Sequence, residues 1–124
     1  MAGVMRVVIG LIGLFNIAIG LGFLFNPAQL AGQFFLSPIG TQGLATLRAD
    51  FPGFFITGGV FALIGAVKKD GNALLVPLLL LAIAIIGRSI SLAMDGTAPT
   101  AYPPMIAEAV MIAALLLGRR SFAR

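Results

Sequence analysis

The chain has 124 residues, a formal net charge of +4, 60% hydrophobic residues and only 10% charged ones, with a mean hydropathy of +1.10. A soluble domain is about 45–50% apolar and about 25% charged, so a water-soluble globule is excluded for want of polar side chains to cover it. Cysteine and histidine are absent, which excludes disulfides, thiolate or imidazole metal sites and the usual general base near neutral pH; neither a metal nor a cofactor is expected.

A membrane-spanning helix needs about 20 apolar residues, and four stretches qualify. The first covers residues 4–25 and stops at Asn26-Pro27, a pair that resists helix continuation. Its apolar run is too long for a signal peptide and no good small-residue cleavage site follows, so it reads as a retained helix. Gly10, Gly13, Asn16, Ile17 and Gly20 share one face of it, and these small residues admit close helix approach.

The connection 26–47 is long for a helical hairpin, where about 2–8 residues are usual. Within it, Pro27–Phe35 reads as a short interfacial helix with Gln29 and Gln33 on its polar side. Ser37-Pro38-Ile39-Gly40 reads as a turn leading into the second span, residues 50–67, with Leu44 as an alternative start. That span opens on Asp50 as N-cap, with Pro52 in its first turn and Arg48 just outside. Gly58, Ala62 and Gly65 repeat the small-residue theme, and Phe51, Phe54 and Phe55 read as packing or lipid-facing groups. The span ends at Lys68-Lys69-Asp70-Gly71. The third runs over 72–94 and ends at Asp95-Gly96. The fourth, the shortest, covers 103–118, from Pro103-Pro104 to Gly118-Arg119-Arg120.

Charge then sets orientation. Arg6, Lys68, Lys69, Arg119, Arg120 and Arg124 all fall on one side of this pattern, and neither connection on the other side contains lysine or arginine. By the positive-inside rule, the expectation is an all-α integral membrane protein. It is a single four-helix antiparallel bundle over residues 1–124, multi-pass in a bacterial inner membrane, with both termini cytoplasmic. No basic patch with interleaved aromatics is present, so nucleic acid is not an expected partner.

Charged groups inside a bilayer cost about 2.5–3.5 kcal/mol each even on lenient scales, and pair or face water. Asn16, Arg48, Asp50, Arg88, Ser91, Asp95 and Glu108 all fall in the outer half, one or more on each span. The spacing puts Arg88, Ser91 and Asp95 on one helix face. These seven form a candidate polar cluster, serving either to lock the helices together or to bind a ligand.

Asn16, Asn26-Pro27, the run Leu47-Arg48-Ala49-Asp50-Phe51-Pro52-Gly53-Phe54-Phe55, Arg88-Ser89-Ile90-Ser91 with Asp95-Gly96, and Glu108 together resemble a bacterial domain-of-unknown-function family of small four-helix inner-membrane proteins. The resemblance implies a stand-alone four-helix protein with no assigned activity. A small multidrug transporter has similar length, but that family carries its essential glutamate in the first helix, where this chain has only Asn16.

No nucleophile–base pair is evident, so no enzyme is expected. The first expectation is a structural or accessory bundle, in contact with membrane lipids and attached to other membrane-protein subunits or to copies of itself. The alternative is binding or transport of a small amphiphile, anchored by Arg48, Arg88 and Glu108.

Overall fold

The structure is a computed structural model and describes residues 1–123; Arg124, counted above with the cytoplasmic charges, lies outside the described residues. The elements in order are α1 (Ala2–Phe25), α2 (Pro27–Gln33), α3 (Gly40–Lys68), α4 (Leu75–Asp95), a 3₁₀ turn (Pro99–Ala101) and α5 (Tyr102–Phe122). No strand occurs among the described residues. Four helices are long and apolar enough to cross a membrane. Large apolar side chains such as Val7, Leu11, Leu79, Ile83 and Ile86 stand exposed on the outside. A surface of that kind is stable only against hydrocarbon, and the chain is a multi-pass membrane protein by helix length and composition.

The helices form a ring: α1 packs on α3, α3 on α4, α4 on α5, and α5 closes back onto α1. The α1–α3 contact is the most intimate, because glycines let two backbones touch. A Cβ on Gly59 would lie 2.6 Å from the Gly13 carbonyl oxygen, and one on Gly13 would lie 2.8 Å from that of Gly59. Gly13 and Gly20 are buried along this seam against Gly59 and Ile56, whereas Gly58 is buried against Leu80 of α4 and Gly65 against Leu74. Gly10, assigned to the same face, meets nothing within 4 Å.

The second long helix begins at Gly40, ten residues before Asp50 and four before the alternative start at Leu44. Asp50 is therefore not an N-cap, Arg48 is not outside the helix, and Pro52 lies in the helix interior. The cause is tertiary. Leu44, Leu47 and Phe51 follow helical spacing, and Leu47 is buried with Phe23 and Ala31 in a core cluster that holds the early turns. Pro52 has no N–H to give the Arg48 carbonyl; neighbouring helices make such prolines tolerable in spanning helices.

The remaining differences are smaller. α2 forms where a short helix was expected, with Gln29 and Gln33 exposed. α4 starts at Leu75, after turns at 71–74. α5 continues to Phe122 and equals α4 at 21 residues, so the last span shares the shortest length with the third. Phe122 is buried against a cluster containing Met5, Ile9 and Leu115, which extends the helix past the arginines.

One end of the bundle is basic. Arg6 donates from Nε to the Ala66 carbonyl at 2.8 Å and from an Nη to that of Val67 at 3.0 Å, covering acceptors left free at the C-terminus of α3. Arg119 Nε donates to the Gly71 carbonyl at 3.2 Å. The start of α1, the 68–74 turn and the end of α5 therefore lie together, and the other two connections lie at the opposite end.

Candidate functional site

Toward the opposite end the ring is not filled. A cavity of about 420 Å³ opens among α1, α3, α4 and α5. Asn16 on α1, Asp50 on α3, Arg88 on α4 and Glu108 on α5 line it, so each spanning helix contributes one polar group. At about 1.5 Å of rise per residue, Asn16 stands about 15 Å above Arg6 and Glu108 about 17 Å above Arg119. Asp50 stands about 27 Å above Lys68 on the same count. Asn16 and Glu108 thus form the floor and Asp50 the rim.

Arg88 Nε donates to Glu108 Oε2 at 3.0 Å. Burial of the two is unequal: the glutamate side chain is 10% exposed and the arginine 40%. Glu108 Oε1 is buried and has no hydrogen-bond partner. Such a group costs roughly 1–3 kcal/mol, more when charged, and in native proteins it marks a missing partner. Asn16, 8% exposed, uses its amide nitrogen to donate to the Ile12 carbonyl at 2.9 Å and to Met111 Sδ at 3.6 Å. Asp50 is exposed, and the Arg88–Glu108 pair is the only salt bridge among the described residues.

The walls are aromatic. Phe15, Phe34, Phe51, Phe54 and Phe55 line the cavity. Behind them Phe23, fully buried, holds the rings in place, with centroids 4.7 Å from Phe51, 5.3 Å from Phe34 and 6.0 Å from Phe55. Sequence reasoning read Phe51, Phe54 and Phe55 as packing or lipid-facing groups. They do pack, and they also wall the cavity. Their i, i+3, i+4 spacing on the helix that carries Asp50 was the available signal.

Four of the seven proposed polar residues therefore line one cavity, Asn16, Asp50, Arg88 and Glu108, and of these Arg88 and Glu108 touch. Three do not line the cavity. Arg48 is exposed, because a helix running straight through residues 48–50 turns it away from the face that Asp50 presents. Ser91 Oγ donates to Asp95 Oδ2 at 2.8 Å, and both residues are exposed near the end of α4. No group of three or more acidic, histidine or cysteine residues suited to a metal occurs among the described residues.

A family model described as a domain of unknown function (DUF4345) matches residues 4–118. No curated protein and no solved structure matches the chain.

Proposed function

We propose that this chain, which belongs to the DUF4345 family of domains of unknown function, binds a small amphiphile inside the membrane, in the cavity between Asp50 and Glu108. One observation carries the reading: the bundle leaves about 420 Å³ open at the place where its polar groups converge. If Arg88 and Glu108 served only to lock helices together, the space beside them would be filled by side chains, since interiors pack to crystal-like density. Apolar walls with a few convergent polar groups are the ordinary makeup of a ligand site.

Within this reading the protein is a binding or transport protein and not an enzyme. It sits in a bacterial inner membrane with its basic end cytoplasmic, as the positive-inside rule favours. The cavity then opens toward the outer face, and its ligand arrives from lipid or from that side.

The chain has no tryptophan, so Phe54→Trp places a single such fluorophore in the cavity wall. In nanodiscs, a short brominated amphiphile is expected to quench it saturably. Ala84→Leu, which puts bulk into the same cavity, is expected to remove the saturable part. Quenching that rises linearly with probe, or is unchanged by Ala84→Leu, would show bilayer partitioning alone.

A further inference from the structure

We infer that the cavity selects amphiphiles with a cationic, hydrogen-bond-donating head, of the ammonium class, over neutral or anionic ones. The inference rests on the reading above and specifies its ligand. Charge balance is the first ground. Arg88 and Glu108 offset each other at 3.0 Å, which leaves Asp50 as the one lining charge without a counter-ion. Arg48, the second cation that would have made the site a receptor for anions, is exposed and does not line it. Asp50 stands exposed at the rim, where an uncompensated carboxylate draws cations toward the mouth of the cavity.

Hydrogen-bond supply is the second ground. Arg88 has taken Glu108 Oε2, and what remains buried without a partner is an acceptor, Oε1. The carboxylate of Asp50 is likewise acceptor-only when ionised. A head that donates at the floor satisfies Oε1, while Asp50, about 10 Å higher on the helical rise, adds its charge from the rim; a carboxylate or sulfate brings further acceptors to a site already rich in them. The walls supply a third ground. Phe51, Phe54 and Phe55 flank the cavity on the helix that carries Asp50, and aromatic faces attract ammonium groups most strongly where water is excluded. The ligand pictured is a compact amine whose nitrogen donates to Glu108 Oε1 at the floor, below the charge of Asp50, while its apolar body lies on the phenylalanines.

Three probes of one shape test this: 4-phenylbutylamine, 4-phenylbutanol and 4-phenylbutanoate. Binding is measured by calorimetry to the whole protein in phosphatidylcholine nanodiscs, with the heats of empty nanodiscs subtracted. The amine is expected to bind at least about ten-fold tighter than the carboxylate, with the alcohol between them. Asp50→Asn is expected to abolish that ten-fold preference, and Asp50→Glu to restore it. Equal binding of the three probes, tighter binding of the carboxylate, or a preference untouched by Asp50→Asn would overturn the cationic selectivity and leave the amphiphile cavity standing. Saturable binding by none of them would overturn both. An unchanged helical circular-dichroism spectrum and thermal midpoint report that the Asp50→Asn bundle is folded.

Discussion

Arg88 and Glu108 meet across α4 and α5 at 3.0 Å, yet the glutamate side chain is 10% exposed and the arginine 40%. The asymmetry makes the two halves of the pair unequal when removed. Arg88→Ala strands a buried carboxylate that already has one oxygen without a partner, and is expected to cost about 3 kcal/mol. Glu108→Gln leaves a cation that can still reach solvent or headgroups, and is expected to cost about 1 kcal/mol. Unfolding of detergent-solubilised protein in a denaturant series measures both; the reverse order would show that Glu108 is not the confined partner.

The glycine seam gives a sharper contrast. Gly59 lies against the Gly13 carbonyl, where a Cβ at 2.6 Å meets backbone that cannot rotate away. Gly59→Ala is expected to lose about 1–3 kcal/mol through overpacking. Gly10→Ala, with nothing within 4 Å, is expected to be neutral or to gain up to about 1 kcal/mol from helix propensity. The same unfolding series reads both variants, and equal losses would mean that α1 and α3 do not cross at Gly13–Gly59.

Arg6 ties the start of α1 to the end of α3 through the Ala66 and Val67 carbonyls. Its two N–H donors diverge in the way a guanidinium fork allows and an ammonium does not. Arg6→Gln and Arg6→Lys are both expected to destabilise by about 1 kcal/mol. Full rescue by lysine would assign Arg6 a role in charge alone.

Because the natural chain has no cysteine, single introduced thiols report orientation without background. Thr97→Cys, in the connection at the end away from the basic residues, is expected to react with a membrane-impermeant maleimide in intact spheroplasts. Asn72→Cys, beside Lys68 and Lys69, is expected to react only after lysis. The opposite pattern would invert the topology inferred from charge.

The spans were legible because lipid imposes a length and a composition that few other environments require. Asn16, Arg88 and Glu108 were legible for the same reason, as polar groups in apolar runs. The start of α3 was not. Asp50-Phe51-Pro52 has the local grammar of a helix beginning, and only the burial of Leu47 against Phe23 and Ala31 carries the helix upstream to Gly40. Arg48 was grouped with Arg88 by depth alone, and depth does not say which face of α3 a residue takes. The cavity itself was hidden, since empty space depends on how four helices are spaced. Its aromatic wall could have been read only from the spacing of Phe51, Phe54 and Phe55.

An experimental structure determined in lipid nanodiscs tests most directly whether the space between Asp50 and Glu108 is a receptor for something other than protein. Elongated non-protein density lying on Phe51 and Phe55, with one end within hydrogen-bond distance of Glu108 Oε1, is expected. A bundle contracted so that side chains fill that space and supply Oε1 with a partner from the chain itself would leave the four polar groups with a purely architectural role.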